Sequence, residues 1–387
     1  MNQIVRRIVK NTGYLFSATG ISAALSMVQG ILTARLLGVE AFGILGTIIM
    51  FTSTVNKFAS FRMSELVIKY VGQYTEAKDS QRAAALFKVA ALTEILASLA
   101  AFGLIWLLAP LGALLFAKEP SFASLFVLYG LIVLANLMAE SSTGLLQIFD
   151  RFRRMAALNV VQSVVTLAII CLAFFTGGGL QQVLLAYVAG KTISALGFTA
   201  AALVEAHRHW GRDWWKAPIN LLRSQAGELA HFAVSTNLSA TLSLINKDSE
   251  LLWVSFFRSP LEAGLYKLAL TLTNLVEMPV NPMPQATYPE LSRQVARNGW
   301  HNVRAILRQG SLLVGGYTLV AVVGLALLGK PIIQYIYGAE FLPAFPALVI
   351  LLVGYLAANT FYWRRIALLS LGRPDFPVKV NLVLAVL

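Results

Sequence analysis

Residues 243–290 of this 387-residue chain read SLINKDSELLWVSFFRSPLEAGLYKLALTLTNLVEMPVNPMPQATYPE, two apolar runs that are separated by a short polar break. Both runs carry charged residues, namely Lys247, Asp248, Glu250, Lys267 and Glu277. A charge at the centre of a lipid bilayer costs at least about 2.5–3.5 kcal/mol, so such residues are retained where they face protein or water. The two runs are therefore predicted to line a cavity.

The second run also contains three prolines, Pro279, Pro282 and Pro284. Proline removes a backbone donor and interrupts a helix, and the freed carbonyls are tolerated within a membrane where they border a cavity. These prolines predict a bend, which would be either a hinge that moves during gating or a static kink.

The composition places the chain among polytopic membrane proteins. Apolar residues make up 57% of it, only 13% are charged and the mean hydropathy is +0.70, whereas soluble domains are about 25% charged. The net charge of +13 does not indicate nucleic-acid binding, because the basic residues fall in short loops rather than on a water-facing domain with aromatic platforms.

An all-α fold follows from the apolar runs, because about 20 residues are needed for a helix to cross a bilayer. Ten complete spans are predicted, at 12–32, 42–61, 89–109, 122–146, 156–176, 180–204, 229–256, 263–288, 310–328 and 344–363. An eleventh apolar run begins at Phe376 and continues to Leu387, so the second half is expected to be incomplete at its C-terminus.

The Lys and Arg residues predict the orientation. Loops on one side of the ten spans hold 23 of them and loops on the other side hold 4. Because cytoplasmic loops are enriched in Lys and Arg, the N-terminus is predicted to be cytoplasmic.

Two halves of the chain repeat each other in the same order. The segment 21–30 (ISAALSMVQG) resembles 238–247 (LSATLSLINK), and Val39-Glu-Ala-Phe-Gly43 resembles Leu261-Glu-Ala-Gly264. The offset between matching positions stays nearly constant along the chain, and six spans separate each residue from its counterpart. Two six-helix repeats in parallel orientation are therefore expected, as residues 1–204 and 229–387, joined by a cytoplasmic amphipathic linker at 205–228.

No catalytic motif accompanies this architecture. The sequence has no Walker loop, nucleophile elbow, metal-binding His pair or dinucleotide fingerprint, so no catalytic residue, cofactor or metal site is predicted. Transport would then be driven by an ion gradient, the membrane potential or consumption of the product.

The ionisable residues within the predicted spans indicate a path across the membrane. They are Lys57, Glu94, Glu140, Lys191, Lys247, Asp248, Glu250, Lys267 and Glu277. Lys247 and Glu250 lie three residues apart, so an internal ion pair is an equally good interpretation. Snorkelling or pairing between helices is favoured for Lys57, Glu94 and Glu140, which lie near the cytoplasmic boundary. Lys191 lies mid-span between small residues and is predicted to face the cavity.

Several short motifs resemble bacterial polysaccharide-biosynthesis flippases of the O-antigen, or Wzx, type. They are Asn246-Lys-Asp248 with Leu251-Leu252, Leu261-Glu-Ala-Gly-Leu-Tyr266, Tyr288-Pro-Glu-Leu291 and, in the first half, Ala34–Gly43. Those flippases belong to the multidrug, oligosaccharidyl-lipid and polysaccharide exporter superfamily. The resemblance implies a V-shaped pair of six-helix bundles that alternates between inward-open and outward-open states. It also implies that Asp248 occupies the acidic position recurrent in the family's seventh span.

Three functions remain open from the sequence. The leading hypothesis is an inner-membrane flippase for a polyprenyl-pyrophosphate-linked oligosaccharide of lipopolysaccharide biosynthesis, in which Lys191, Lys247 and Lys267 bind the pyrophosphate. A polymerase and glycosyltransferases would be its partners in the bilayer. The second is a cation-coupled exporter that uses Asp248, Glu250 and Glu277. The third is a membrane glycosyltransferase, polymerase or assembly scaffold, which the short outer connectors disfavour.

Overall fold

The computed structural model describes residues 3–59, 63–234, 249–281 and 283–371; side chains are described from Thr19 onward, except those at positions 285, 286, 289, 290, 296, 365 and 369. Within these ranges the chain forms helices and short turns and no β-strand. Two compact units are present. The first comprises Met1–Leu37 and Thr47–Leu244, and the second comprises Gly38–Gly46 and Ile245–Leu387.

The first unit is built mainly from long apolar helices. Its helices are α1 (Gln3–Ala59), of which Gly38–Gly46 belongs to the second unit, the short α2 (Met63–Leu66) and α3 (Gly72–Glu76), α4 (Ser80–Gly112), α5 (Ala123–Ala135), α6 (Ala139–Ile148), α7 (Phe152–Phe175) and α8 (Leu180–Trp210). Single π-helical turns at Val67–Val71 and Ala113–Ala117 extend α2 and α4. Short 3₁₀ segments lie at Pro120–Phe122, Trp214–Lys216 and Ile219–Gln225, and residues 226–234 are again helical.

The second unit contains α9 (Glu250–Phe257), α10 (Pro260–Glu277), α11 (Met283–Ala296), α12 (Trp300–Ile332), α13 (Phe345–Thr360) and α14 (Arg364–Ser370). A π turn at Ile333–Tyr337 and a 3₁₀ segment at Ala339–Ala344 connect α12 to α13. α10 begins with a capping box, in which the Ser259 hydroxyl accepts from the Glu262 N–H at 3.2 Å and the Glu262 carboxylate accepts from the Ser259 N–H at 3.3 Å.

Seven stretches of the described chain are long and apolar enough to cross a membrane. They are Thr19–Ala59, Ser80–Ala117, Pro120–Ile148, Phe152–Phe175, Leu180–Trp210, Trp300–Tyr337 and Ala339–Thr360. The first covers most of the two predicted spans 12–32 and 42–61, which are separated at Gly38, whose φ of 69° only glycine adopts readily. Of the remaining predicted spans, 229–256 lies partly outside the described residues and 263–288 is divided between α10 and α11.

The backbone of the two units repeats in detail. α4 and α12 each have 33 residues, contain a proline near their end and continue into a five-residue π turn. A positive φ angle precedes each helix, at Lys78 and Asn298, and another follows each helix, at Lys118 and Gly338. Lys78 and Asn298 are separated by the same number of residues as Lys118 and Gly338. A shared pattern of turns, proline and π helix confirms the repeat that the sequence predicts.

Two glycines that correspond in the repeat meet within the second unit. A Cβ atom on Gly43 would lie 2.0 Å from the Pro260 carbonyl oxygen, and one on Gly264 would lie 2.0 Å from the Val39 carbonyl oxygen. This reciprocal contact brings the backbone of residues 38–46 against α10 at a distance that only glycine permits.

The end of α8 and the segment that follows it pack against α4 within the first unit. The ring of Phe87 lies 5.7 Å from that of Trp210 and 5.5 Å from that of Trp214, and Leu222 is buried in the same cluster. The Tyr70 hydroxyl donates to Glu228 at 2.7 Å. The predicted boundaries of this linker, 205–228, and of the two bundles stay a prediction.

Replacement of Gly43 or Gly264 by alanine is expected to destabilise the protein. The added methyl group meets a backbone carbonyl that cannot rotate away, and overpacking of this kind costs about 1–3 kcal/mol. Thermal unfolding in detergent would measure the loss. Gly354→Ala is the matched control, because its added methyl group would meet no atom within 4 Å and alanine favours a helix interior by about 1 kcal/mol. Equal unfolding temperatures for all three variants would contradict the tight crossing.

Candidate functional site

Lys191 is an exposed cation within an apolar helix. It lies eleven residues after the start of α8, about 16 Å along the helix axis. The preceding residue, Gly190, holds α8 close to α7, because a Cβ there would lie 2.0 Å from the Thr166 hydroxyl. No carboxylate in the described part of the chain pairs with Lys191. The ammonium group is therefore available to an anionic ligand.

Lys267 is half-buried against the segment that follows Gly38. Its ammonium group donates to the Phe42 carbonyl oxygen at 3.1 Å and lies 3.9 Å from the centroid of the Phe42 ring. Its aliphatic stem covers Gly46, where an added Cβ would lie 2.5 Å from the Lys267 Cδ. The contact is a cation–π interaction combined with a hydrogen bond. The sequence does not predict this partner, and a role of Lys267 in binding substrate stays a prediction.

Glu250 opens α9 and accepts a hydrogen bond of 2.6 Å from the Tyr266 hydroxyl on α10. Tyr266 precedes Lys267, so one acid and one base of the predicted set lie on the same helical hairpin. Lys247 and Asp248, together with the predicted pairing of Lys247 and Glu250, lie outside the described residues.

Glu277, Pro279 and Pro284 lie at or next to the break in helical structure between α10 and α11. α10 ends at Glu277, whose carbonyl accepts from the Val280 and Asn281 N–H groups, and α11 begins at Met283. Pro279 lies in the intervening turn, Pro284 lies in the first turn of α11, where the lack of an N–H is tolerated, and Pro282 falls outside the described residues. A hinge at these prolines and a coupling role for Glu277 stay predictions.

Glu94 has a structural role. Its buried carboxylate accepts from the backbone N–H groups of Glu140 at 2.7 Å and Ser141 at 2.9 Å, and from the Ser141 hydroxyl at 2.7 Å. These are free donors at the start of α6, where a carboxylate is also favoured by the helix dipole. Glu140 in turn accepts from the Ser64 hydroxyl.

A cationic cluster that the sequence does not predict surrounds Glu205. The side chain of Glu205 is fully buried and is bound by Arg151 and Arg154 at 2.8 Å each and by Arg208 at 3.4 Å. The His209 Nε2 lies 3.6 Å from the same carboxylate, and its ring stacks on Phe149 at 3.8 Å. The cluster joins the beginning of α7 to the end of α8. The only signal in the sequence is the run Arg151, Arg153, Arg154, which predicts orientation and not this contact.

Within the described residues, no three His, Cys, Asp or Glu side chains lie close enough to hold a metal ion. The predicted site residues that the structure describes are charged side chains on or next to apolar helices.

A family model described as "Polysaccharide biosynthesis protein" matches residues 8–295, about three-quarters of the chain. The chain belongs to the polysaccharide biosynthesis protein family. This polysaccharide biosynthesis protein is also 23% identical over 344 residues to the inner membrane protein YghQ of Escherichia coli strain K12, a match that covers 88% of the chain and 95% of that relative.

Solved structures share the fold at low sequence identity. The lipid II flippase MurJ in an inward closed conformation is similar with a TM-score of 0.69 and 16% identity, over 96% of this chain and 79% of that one. An inward-facing multidrug resistance MATE family transporter of the MOP superfamily is similar with a TM-score of 0.67 and 12% identity, over 94% of this chain and 83% of that one. These similarities confirm the predicted fold class.

Replacement of Glu205 by glutamine is expected to destabilise this polysaccharide biosynthesis protein. It leaves three arginines without their shared carboxylate, at a cost of about 1–3 kcal/mol, below that of a fully buried pair because the arginines are partly exposed. Thermal unfolding in detergent would measure the change. The control is Asp213→Asn, which breaks only an exposed pair with Lys216. A Glu205 variant as stable as this control would show that the cluster does not hold α7 and α8 together.

Proposed function

We propose that this protein is a flippase that moves a polyprenyl-pyrophosphate-linked oligosaccharide across the bacterial inner membrane by alternating access. The observation that carries the proposal is membership of the polysaccharide biosynthesis family, which spans residues 8–295. Similarity to a lipid II flippase and to an inner membrane protein agrees with it. A lipid-linked oligosaccharide of the O-antigen type is the favoured cargo, and the N-terminus is cytoplasmic.

Lys191 is the leading substrate contact. An exposed ammonium group in the middle of an apolar helix has a reason to be retained if it faces a water-filled cavity, where it would attract the oxygens of a pyrophosphate. The surrounding low dielectric strengthens that attraction. Lys247 and Lys267 are proposed to share this role. Lys267 would exchange its contact with Phe42 for the substrate, while the polyprenyl tail remains in lipid.

The acidic residues of the predicted site are proposed to couple transport to an ion gradient. Asp248, Glu250 and Glu277 are proposed to bind a proton or cation whose gradient resets the transporter. In this scheme the hydrogen bond from Tyr266 would hold the Glu250 carboxylate in place. The prolines 279, 282 and 284 would allow α10 and α11 to change their angle. A polymerase and glycosyltransferases that produce and consume the cargo are the proposed partners.

A cation-coupled exporter is the second candidate. It is supported by the likeness to a multidrug resistance transporter, at a TM-score of 0.67. In that case the acids on α9 and α10 would bind a cationic substrate directly, and Lys191 would have no role in transport. A glycosyltransferase, polymerase or scaffold gains no support from these relatives, whose printed names describe transporters and a flippase.

Deletion of the gene is expected to cause a lipid-linked oligosaccharide to accumulate on the cytoplasmic side of the membrane. Restoration with the Lys191→Met variant is expected to reduce export at least tenfold, because the loss of one charge-assisted contact of about 1.5–3 kcal/mol corresponds to that factor. The measurement is the ratio of cytoplasmic to periplasmic lipid-linked sugar in extracted membranes.

Lys330→Met is the matched control, since Lys330 is an exposed lysine at the end of α12 that lies over the Phe345 ring. It should export normally. If deletion causes no accumulation, the flippase proposal fails, and resistance to cationic dyes on overexpression would then favour the exporter. If accumulation occurs but Lys191→Met exports normally, only the assignment of the site fails.

A further inference from the structure

The second unit carries an open groove along the first three turns of α12. Its floor is formed by Trp300, Val303, Arg304, Leu307, Arg308 and Ser311, and it encloses about 470 Å³. Spacings of three and four residues place these positions on one face of the helix. Trp363 forms a wall, because its indole N–H donates to the Ser311 hydroxyl at 2.6 Å. The groove therefore combines an apolar floor, two indole rings and two guanidinium groups.

The two guanidinium groups are adjacent and exposed. Arg304 and Arg308 lie one turn apart, so their charges repel each other along the helix. No carboxylate of the described residues forms an ion pair with either of them. Two like charges that line one groove without a neutralising partner are complementary to an anion.

The predicted start of the apolar run of α12 indicates a groove at the level of the lipid headgroups. The predicted apolar run of α12 begins at Gly310, and a rise of about 1.5 Å per residue places Arg308 about 3 Å and Arg304 about 9 Å before it. Trp300 and Trp363 flank the arginines, and tryptophan is enriched at this depth. The groove is thus positioned to meet phosphate groups at one end and acyl chains at the other.

The equivalent face of the first unit is covered by the chain itself. Lys88 corresponds to Arg308 and Phe87 to Leu307, because α4 and α12 begin at equivalent positions of the repeat and have the same length. The Lys88 ammonium group donates to the carbonyl oxygens of Trp215 at 3.1 Å and Ala217. The indole rings of Trp210, at the end of α8, and of Trp214, just after it, cover Phe87. In the first repeat, then, carbonyl oxygen atoms bind the Lys88 ammonium group and indole rings cover the neighbouring Phe87.

We propose that an anionic phospholipid binds this groove of the second unit in the same manner. Its phosphate lies between Arg304 and Arg308, and an acyl chain lies along Val303 and Leu307 beside the two indole rings. The apolar floor selects a lipid over a free phosphate ion, because only a lipid covers both the guanidinium groups and the aliphatic side chains. This binding is separate from the transported cargo and does not depend on the proposed function.

Native mass spectrometry of the full chain in detergent tests the site, with phosphatidylglycerol, phosphatidylcholine and inorganic phosphate as probes. One phosphatidylglycerol is expected to bind per chain in preference to phosphatidylcholine. Arg304→Gln combined with Arg308→Gln is expected to weaken it about tenfold or more, because two charge-assisted contacts are lost. Arg304→Lys with Arg308→Lys keeps the charge but not the planar fork, and intermediate binding is expected. The control is Arg212→Gln with Arg297→Gln, which removes the same charge outside the groove.

Three results would overturn the proposal. Equal losses in the glutamine pair and the control pair would show that the lipid follows overall charge. Equal binding of both phospholipids would show that no anion is selected, and binding of inorganic phosphate as tight as that of phosphatidylglycerol would show a free-anion site. Should the glutamine pair fail to fold, the lysine pair decides, and phosphatidylglycerol binding indistinguishable from that of the unsubstituted protein would then contradict the site.

Discussion

The bilayer has no water to satisfy backbone polar groups, and this constraint accounts for the architecture of the chain. Each N–H and C=O within the hydrocarbon must find a partner inside its own segment, which leaves helices as the solution for a chain of this composition. Departures from regular helix occur at defined places. They are the break at Gly38, the turn between Glu277 and Met283, and the π turns after Pro110 and Pro331. Each of these coincides with a glycine or a proline, whereas the break between α5 and α6, at residues 136–138, contains neither.

Charged side chains also need partners when they are buried, and leaving a buried charge unpaired costs more free energy than leaving a backbone group unpaired. Glu94 and Glu205 are buried, and each is bound by several donors, which makes them part of the framework of the first unit. Lys267 is half-buried and is bound by one carbonyl oxygen and one ring. Lys191 has no such partner in the described part of the chain. The three kinds of charged residue therefore differ in how many protein groups bind them, from several for Glu94 and Glu205 to none among the described residues for Lys191.

The sequence predicts the fold well because hydropathy and the repeat are long-range signals that many residues share. The repeat reappears in the positive φ angles at Lys78 and Asn298, positions that the repeated motifs do not include. Side-chain partners are beyond the reach of such signals. Nothing local in the sequence indicates that Glu205 meets Arg151, or that Phe42 receives Lys267 from a distant part of the chain. Such pairs depend on how helices cross, which periodicity alone does not determine.

The crossing of Gly43 with Gly264 has a consequence for biogenesis. The segment Gly38–Gly46 packs in the second unit, although it is made near the beginning of synthesis. At about 5–20 residues per second, the ribosome needs about 10–45 s to reach its partner helix. During that interval the segment Gly38–Gly46 lacks the helix against which Gly43 packs. Gly43 is then exposed to lipid or to an insertion factor. The second unit is therefore not built from late-synthesised residues alone, because it includes a segment that is made near the beginning of synthesis.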